Sequence, residues 1–538
     1  MAEIKKYTKR VQVRYSEQEK QLITCNKGEI SFQMRAMEIK GVTIHDNQRE
    51  LAYSIIKELV DRKKIITMVV APTQSGKTGS MYATIKLYLE GSDNLIPTNN
   101  IYIITGLSDK DWLAQTKERL PKALHDRIFH RNQLRDRFVS DVRRKKNVLI
   151  IMDEVQVACQ QDQTITKTLR EAGLLDIQKL YENDVKILEY SATPDGTLYQ
   201  LQKWEDAGSK IIGKPGDEYV GCLELLSGNR VKQAKNICGK KEIDDCGVIH
   251  FTTDSSILDN IEEIRKDVFS YKTPRYHIIR TVCAEGQYQT LKNLREVFKT
   301  IEKIKFITYD QQSDIQDINE VLETQPNRHT FILIKEKLRC AKTLSKQYLG
   351  VLYERSTTSD YSSIIQGLLG RNTGYDVNSD SIVYSDIKVI QKYSQLWNTE
   401  FGDREVKWIS KTTCFKHGIL DGKNTFNGLE LYDETIKKDE TKDIEPTVHF
   451  FHTQEEVKEY YINIVKPFLG GYGPKKVKPN EDGYYDAVIR SRRKVYSKEQ
   501  IISERKYGLN VKKKFRCYPC YRDVTDPDTL EWCLIYKN

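Results

Sequence analysis

The sequence lacks any long hydrophobic run. Its apolar stretches, for example residues 65–70 and 148–152, have the length of a strand, whereas a membrane-spanning helix needs about 20 apolar residues. Charged residues stand at the N-terminus before any apolar segment, so no secretory signal is visible. We therefore expect a soluble intracellular protein, cytoplasmic or, in a eukaryotic host, nuclear, with no membrane partner.

The sequence is also poor in proline and glycine, with 13 and 29 among 538 residues, which excludes a collagen-like or low-complexity chain. Hydrophobic residues make up 39% of the chain, enough to exclude a largely disordered protein. The 11 cysteines are odd in number and scattered, unlike the dense framework of a small secreted domain. Cys517 and Cys520, with Cys533 as a third thiol, leave a structural zinc site one ligand short, so we interpret them as buried cysteines.

The length predicts three or four domains. Short strands rich in Ile and Val alternate with helical segments from about residue 44 to 193 and again from about residue 275, which is typical of βαβ units and parallel sheets. We predict an α/β fold with two parallel-sheet domains and a smaller, basic α+β C-terminal region. The predicted boundaries are an N-terminal extension at 1–43, a first domain at 44–200, a connecting insertion at 201–265, a second domain at 266–395 and the C-terminal region at 396–538.

Positive charge is concentrated near the C-terminus. Between Lys466 and Arg516, fifteen lysines and arginines stand against five acidic residues, and this excess of ten equals the net charge of the whole chain. Five tyrosines are interleaved with them: Tyr472, Tyr484, Tyr485, Tyr496 and Tyr507. Alternating basic and aromatic side chains suit a nucleic acid, whose phosphates attract the cations and whose bases stack on the rings. A solvated basic surface and a docking surface for a protein partner are the alternatives.

The strongest local motif is Ala71-Pro-Thr-Gln-Ser-Gly-Lys-Thr78, which follows an apolar strand and precedes a helical segment. This order forms a phosphate-binding loop, here with Ala71 in place of the first glycine. Backbone N–H groups at the helix N-terminus face the phosphates, and Gly76 lets the backbone approach them closely. Lys77 is expected to reach the β- and γ-phosphates and Thr78 to ligate Mg²⁺. The residues assigned to nucleotide binding in this loop are Thr73, Gln74, Ser75, Gly76, Lys77 and Thr78.

A pair of carboxylates follows a second apolar strand, in the segment Asp153-Glu154-Val155-Gln156. Asp153 is expected to hold the Mg²⁺ shell, and Glu154 to orient and deprotonate an attacking water. A solvated acidic turn is the alternative for this segment taken alone. Its occurrence after the phosphate-binding loop favours a site for ATP and Mg²⁺.

The order of Gln48, residues 71–78, residues 153–156 and Ser191-Ala192-Thr193 resembles that of superfamily 2 helicases and translocases, in their DEAD/DEAH-like and type III restriction motor-like branches. The resemblance implies two RecA-like domains, the reading of adenine by Gln48, and coupling of hydrolysis to movement by Ser191 and Thr193. The Lys- and Tyr-rich composition would suit a viral or phage genome rich in A and T.

The second half of the chain extends this resemblance. Residues 331–344 occupy the place of the family's fifth motif, where Arg339 and Lys342 are expected to contact phosphates. Residues 366–371 resemble the sixth motif, in which Gln366 takes part in coupling and Arg371 brings positive charge to the γ-phosphate. The motif departs from the family pattern because an extra residue separates Gln366 from Gly370 and because Gly374 occupies the place of the second arginine. Arg371 is therefore the predicted arginine finger, with Arg339 in reserve.

These features predict an ATP hydrolase that moves on or unwinds nucleic acid, with DNA preferred over RNA and with ATP bound between the two domains. Two alternatives stay open. One is a duplex translocase without unwinding activity, and the other is a nucleotide-gated nucleic-acid-binding scaffold that has lost turnover.

Overall fold

The structure is a computed structural model. It describes residues 13–538 apart from 92–95, 244–248, 300–303, 311–312, 314, 316, 336, 339–341, 376–377, 379, 429–446, 470–473, 475–476, 481, 490–491, 505–514 and 537–538. The chain divides into two compact units, Met1–Leu431 (unit 1) and Tyr432–Asn538 (unit 2), and each is described by itself. Within the described ranges, no helix is both long and apolar enough to cross a membrane.

Unit 1 begins with a long helix and continues into a first domain built on a six-stranded sheet. Its elements are α1 (Glu17–Ile39), α2 (Asp46–Ile56), β1 (Ile66–Val70), α3 (Lys77–Glu90), β2 (Ile101–Thr105), α4 (Lys110–Glu118), β3 (Ile128–Phe129), α5 (Val139–Val142), β4 (Val148–Asp153), α6 (Thr164–Glu171), α7 (Ile177–Glu182), β5 (Val185–Ser191), α8 (Asp195–Leu201) and β6 (Gly208–Ile212). The strands are ordered β3-β2-β4-β5-β1-β6, and every neighbouring pair is parallel. Strands β1, β2 and β5 are buried along their whole length because the sheet is covered on both faces.

The second domain repeats this architecture. Its elements are α9 (Cys222–Ser227), β7 (Val231–Gln233), β8 (Lys240–Ile243), β9 (Ile249–Thr252), α10 (Ser255–Ser270), β10 (Tyr276–Arg280), α11 (Ala284–Val297), β11 (Ile304–Tyr309), α12 (Ile318–Leu322), β12 (His329–Ile334), β13 (Leu349–Tyr353), α13 (Ser362–Gln366), α14 (Leu368–Arg371), β14 (Ile382–Ser385) and α15 (Ile387–Asn398). The parallel sheet has the order β11-β12-β10-β13-β14-β7. Two six-stranded parallel sheets flanked by helices confirm the predicted α/β class with two RecA-like domains.

The interval 201–265, predicted as a connecting insertion, belongs to both domains. It supplies β6 to an edge of the first sheet and β7 to an edge of the second. These edge strands are partly exposed, so their sequences lack the apolar run that marks a buried strand. In the fold, this interval is therefore part of the two domains and not a separate insertion between them.

The residues after α15 return to the first domain instead of starting a new one at residue 396. Within this return segment, residues 399–428, a hairpin forms from β15 (Thr413–Lys416) and β16 (Ile419–Gly422). Thr412 Oγ1 accepts a hydrogen bond from the Gly196 N–H at 3.1 Å, and Gln200 Nε2 donates to Gly422 O at 2.7 Å. One hydrophobic core runs through both domains, from Ile66 in β1 to Ile278 in β10.

Unit 2 is an α+β module. Its elements are β17 (Thr447–Phe451), α16 (Gln454–Tyr460), α17 (Lys466–Leu469), β18 (Ala487–Ile489), β19 (Arg492–Lys494), α18 (Lys498–Glu504), β20 (Phe515–Tyr521) and β21 (Leu530–Tyr536). The three-stranded sheet β17-β21-β20 is antiparallel and has a hydrophobic cluster on each face. Ser497 caps the N-terminus of α18, since its Oγ accepts from the Gln500 N–H at 3.2 Å.

The cysteines of unit 2 lie in this sheet. Cys520 and Cys533 pack in the cluster on one face, whereas Cys517 packs in the cluster on the other. Burial raises the pKa of the Cys520 thiol to about 12. No group of three metal-ligating side chains occurs among the residues that the structure describes. The arrangement fits buried cysteines better than zinc ligands.

Candidate nucleotide site

The phosphate-binding loop connects β1 to α3 at the carboxyl end of the first sheet. Two of its residues have positive φ angles, Gln74 at 56° and Gly76 at 92°. Gly76 immediately precedes Lys77, the first residue of the 14-residue helix α3, and Thr78 is the second. The free N–H groups of the first helical turn therefore border a tightly turned loop, an arrangement that binds phosphate.

Gln48 of α2 lies against this loop. Its side chain is buried, its Nε2 donates to Gly76 O at 3.3 Å, and its Oε1 accepts from the His45 N–H at 3.1 Å. A Cβ atom on Gly76 or on Gly79 would collide with the Gln48 amide. The amide keeps one N–H and one lone pair for a further partner, which is the pattern that the edge of an adenine requires.

Asp153 and Glu154 stand at the end of β4, and Glu154 has a φ of 51°. Trp112 Nε1 donates to Asp153 Oδ2 at 2.8 Å, and Lys77 Nζ lies 3.8 Å from Glu154 Oε1. Burial and then the charge of Glu154 raise the pKa of Asp153 to about 6, although the Lys77 cation opposes this shift. Buried carboxylates are oxygen ligands of the kind that Mg²⁺ prefers, and a divalent ion would offset their repulsion. The donor set thus fits a magnesium site at Asp153 and Thr78.

A chain of side-chain hydrogen bonds joins the acidic pair to both domains. Ser191 Oγ donates to Gln156 Oε1 at 2.6 Å, and the Thr193 N–H donates to Ser191 Oγ at 3.0 Å. The Nε2 of Gln156 donates to Glu154 Oε2 at 2.7 Å. From the second domain, Gln366 Nε2 donates to the same oxygen at 2.8 Å. Three segments that are distant in sequence therefore meet around one carboxylate.

Arg371 is buried, and its guanidinium bonds to its own domain. Its Nη1 donates to Lys342 O at 2.6 Å and its Nη2 to Gln366 O at 3.0 Å. Its carbonyl accepts from Gln74 Nε2 of the phosphate-binding loop at 3.2 Å. The backbone at Arg371 is thus adjacent to the loop, whereas its guanidinium bonds to carbonyl groups of the second domain. The reserve candidate, Arg339, lies outside the described residues.

Lys342, predicted to contact phosphate, forms an ion pair across the two domains. Its Nζ lies 2.9 Å from Asp111 Oδ2 in α4 of the first domain and 3.0 Å from Asp317 Oδ1 in the second. Burial lowers the pKa of Lys342, but the hydrogen bonds to the two carboxylates outweigh burial and leave the pKa raised. The ammonium group is charged and connects the domains.

The second domain closes over the phosphate-binding loop. Thr73 Oγ1 lies 2.9 Å from Thr373 Oγ1, and the Tyr219 hydroxyl donates to Thr73 O at 2.6 Å. The cavity left at the loop has a volume of about 10 Å³, enough for a single water, and is bounded among others by Gln48, Ser75, Gly76, Lys77 and Lys214. A nucleotide occupies several hundred Å³. A nucleotide would therefore not fit at the loop in this arrangement, in which the second domain contacts it.

Asp195, immediately after the Ser-Ala-Thr segment, makes a further contact between the domains. It is buried, and its Oδ1 accepts from Ser362 Oγ at 2.7 Å and from Trp408 Nε1 at 2.8 Å. Burial raises the pKa of Asp195 to about 7. Ser362 belongs to the second domain and Trp408 to the return segment, so the carboxyl group joins three parts of unit 1.

Sequence reasoning missed Trp112, Gly79, Tyr219 and Asp195. A glycine inside a helix lowers the stability of the helix by about 1 kcal/mol relative to alanine. Gly79, the third residue of α3, therefore indicated that another group approaches the helix closely there. The other three carry no local signal, since their partners lie in distant segments that only the fold brings together.

No family model matches the chain. The sequence is 26% identical over 369 residues to an uncharacterized protein of Acanthamoeba polyphaga mimivirus, and the overlap covers 64% of this chain and 84% of the viral protein. The chain is thus similar to a viral protein over most of the length of that protein.

Proposed function

We propose that this protein is an ATP-dependent helicase or translocase that acts on nucleic acid, with DNA preferred over RNA. The observation that carries the proposal is the meeting at Glu154 of the acidic segment, the Ser-Ala-Thr segment and Gln366 of the second domain. In a nucleic-acid motor, hydrolysis must be sensed by both domains. A carboxylate that accepts hydrogen bonds from both domains is suited to that role.

The residues of the site divide the chemistry among them. The N–H groups of residues 73–78 bind the phosphates, and Lys77 neutralises charge on them. Mg²⁺, when bound by Thr78 and Asp153, supplies further charge neutralisation at the phosphates. Glu154 orients a water and accepts its proton. Arg371, from the opposite domain, supplies positive charge where charge develops in the transition state.

Glu154 is held by bonds that must rearrange during turnover. Its Oε2 accepts from Gln156 and Gln366, and its Oε1 faces Lys77. When a γ-phosphate attracts Lys77, Glu154 is freed from that cation, while its bonds to the two glutamines change as the cleft opens or closes. Ser191, bonded to Gln156, passes the change on to the end of β5. The network gives a physical route from hydrolysis to domain movement.

The basic C-terminal region supports nucleic acid as the track. Within this region, the segment 466–516 has an excess of ten positive charges, which equals the net charge of the chain, although several of these residues lie outside the described residues, among them Lys475, Lys476 and Arg490. Binding dominated by phosphate contacts weakens steeply as salt rises. The alternative is that this region binds a protein partner. In that case the affinity of the chain for nucleic acid would depend little on the salt concentration.

The test is ATP hydrolysis by the full chain without polymer and with single-stranded DNA, duplex DNA or single-stranded RNA. We expect one polymer to stimulate turnover strongly and Glu154→Gln to lower it by about two orders of magnitude or more, since it removes the general base. Strand displacement on forked DNA, measured beside triplex displacement, then separates unwinding from translocation on duplex. If the chain binds ATP but does not hydrolyse it with any of these polymers or without one, the proposal of a motor is overturned.

One observation favours the second candidate, a nucleotide-gated scaffold without turnover. The Arg371 guanidinium bonds to two carbonyl groups of its own domain, and Gly374 stands in place of a second arginine. If Arg371 keeps these bonds when a nucleotide is bound, its guanidinium cannot stabilise the charge of the transition state. Arg371→Lys would then leave ATP binding and the negligible turnover unchanged, whereas in a motor it would reduce turnover at constant binding.

A further inference from the structure

The backbone of Gly374 explains why this chain has no second arginine in its sixth motif. Gly374 has a φ of 124°, a conformation that side chains rarely adopt. Its N–H and carbonyl exchange two hydrogen bonds of 2.9 Å with the backbone of Val220, so this conformation is held in place. An arginine at position 374 would strain the chain. A cation at this point therefore has to come from another residue.

A buried lysine of the second domain lies at this point. A Cβ atom on Gly374 would lie 3.0 Å from Lys346 Nζ and 3.2 Å from Gln74 Oε1 of the phosphate-binding loop. The ammonium group and the loop side chain thus border the space in which the missing side chain would begin. Lys346 is only 4% exposed, and its Nζ donates to the carbonyl of Thr373. Its charge is therefore placed beside the loop by the residue that precedes Gly374.

The main chain of Lys346 is anchored within the second domain. Its carbonyl accepts from the Leu349 N–H at 3.0 Å, at the beginning of β13, and also from Asn378 Nδ2. Asn378 Nδ2 lies 3.2 Å from Leu349 O as well. The backbone is thus held, while the flexible four-carbon side chain extends toward the first domain. The charge of the lysine moves with the second domain whenever that domain moves.

The stretch from Gln366 to Gly374 follows the phosphate-binding loop. At its beginning, Gln366 Nε2 donates to Glu154 Oε2 at 2.8 Å. In its middle, a Cβ atom on Gly370 would lie 3.0 Å from Thr73 Cγ2 of the loop. The stretch therefore runs along the loop from the proposed general base onward. A cation at its end faces the phosphates from the second domain, and the phosphate that the general base must approach is the terminal one.

We propose that Lys346 binds the terminal phosphate of the nucleotide, in the role that the family gives to the second arginine of its sixth motif. The inference rests on the proposed function and adds a phosphate-binding residue to it. A charge-assisted hydrogen bond to phosphate is stronger than one to a neutral carbonyl, so the ammonium group exchanges Thr373 O for a phosphate oxygen. The lysine then stabilises the charge that spreads over these oxygens in the transition state. It links the two domains through the nucleotide only while the terminal phosphate is present.

The test compares the binding of a nonhydrolysable ATP analogue and of ADP to the full chain, with Mg²⁺ present. Lys346→Met removes the charge and keeps the length of the side chain. It should weaken binding of the analogue roughly tenfold or more and leave ADP binding within about twofold of wild type, because ADP lacks the terminal phosphate. Lys346→Gln keeps a donor for the Thr373 carbonyl without the charge and should act like Lys346→Met. It also keeps the test open if Lys346→Met does not fold.

Lys186→Met is the matched control. Lys186 is an equally buried lysine, with 3% exposed, and it lies at the beginning of β5, at the opposite end of the first sheet from the loop. Its replacement should leave the preference for the analogue over ADP unchanged.

Three results would contradict the assignment of Lys346. They are equal weakening of both ligands by the Lys346 variants, no weakening of either ligand, and normal binding of the analogue by Lys346→Gln. In each case the lysine would only support the backbone at Thr373, and the nucleotide site would stand. Wild-type protein that binds neither ligand would instead overturn the nucleotide site and with it the proposed function.

Discussion

At the scale of single residues, Trp112 orients the carboxylate of Asp153, the residue that we propose holds Mg²⁺. Its indole N–H donates to Asp153 Oδ2 at 2.8 Å, and both groups are buried or nearly so. A hydrogen bond to one oxygen fixes the direction of the other lone pairs. Such outer partners of metal ligands commonly contribute ten- to hundredfold to metal affinity.

We therefore predict that Trp112→Phe, which keeps an aromatic ring and removes the N–H, raises the Mg²⁺ concentration needed for half-maximal ATPase activity about tenfold. The measurement is the rate of ATP hydrolysis against Mg²⁺ at saturating ATP. Trp204→Phe is the control, since the buried Trp204 N–H has no hydrogen-bond partner among the described residues. An unchanged Mg²⁺ dependence in Trp112→Phe would show that the indole only fills space.

The residues of the phosphate-binding loop and the acidic pair could be predicted because each motif is local. In each case an apolar strand is followed closely by the functional residues, Gly76-Lys77-Thr78 after β1 and Asp153-Glu154 at the end of β4. The whole pattern therefore lies within about a dozen residues of sequence. The bonds of Trp112 to Asp153 and of Tyr375 to Ser75 could not, since their partners lie 41 and 300 residues apart in the chain. Only the packing of helices on sheets brings such pairs together.

At the scale of secondary-structure elements, a buried histidine pair connects β10 and β12. His277 is fully buried, its Nδ1 accepts from the Val351 N–H at 2.9 Å, and its Nε2 lies 3.0 Å from His329 Nδ1. Since Nδ1 accepts a bond from a backbone donor, the proton of His277 is on Nε2 and is donated to His329. Burial lowers the pKa of both rings, the charges of His329 and Arg275 lower that of His277 further, and the charge of Arg275 lowers that of His329.

This pair makes the second domain sensitive to acid. The folded pKa of His277 lies well below the value of about 6.5 for an unfolded chain, so the unfolded state takes up protons first as pH falls. The contribution of His277 to the free energy of unfolding is then fully present above about pH 7. It decreases below about pH 6.5, by up to about 1.4 kcal/mol per pH unit for one ring. We predict a fall of about 2–4 °C in the melting temperature per pH unit there.

His277→Phe removes the titrating group and should flatten this pH dependence, although it also lowers stability at pH 7.5 because the Val351 N–H loses its acceptor. Thermal unfolding at pH 7.5 and 5.5 is the measurement. His417→Asn serves as the control, since His417 is exposed and asparagine tolerates its φ of 51°. A variant whose melting temperature falls with pH as steeply as that of wild type would contradict the assignment.

Central strands were predictable and edge strands were not, for one physical reason. A central parallel strand such as β4 is buried along residues 148–152, and these residues form an apolar run of strand length in the sequence. The edge strand β7 has one buried residue and two exposed ones, so it has no such run. Its place in the second sheet follows from pairing with β14, which is a tertiary contact.

At the scale of the whole of unit 1, the chain crosses the cleft twice. It passes from the first domain to the second through the interval 213–221 and comes back through the return segment at 399–428. Two covalent crossings limit how far the domains can move apart. Side-chain contacts between the domains then control how readily the cleft opens.

The Lys342–Asp111 ion pair is such a control. It joins the domains near the acidic site, because α4 carries both Asp111 and Trp112. The lysine is buried but the aspartate is more than a third exposed, so the pair contributes roughly 0.5–1 kcal/mol to the closed form. Since nucleotide entry needs an open cleft, Asp111→Asn should raise the association rate of a fluorescent ATP analogue by about two- to fivefold.

The same lysine provides a matched control for this prediction. Asp317 is its second partner at 3.0 Å, is exposed to a similar extent as Asp111, and lies in the same domain as Lys342. Asp317→Asn therefore removes one carboxylate from the lysine without cutting a connection across the cleft. Stopped-flow association should be faster for Asp111→Asn and unchanged for Asp317→Asn. Equal acceleration by both would mean that the local charge of Lys342, and not the connection between the domains, sets the rate of nucleotide entry.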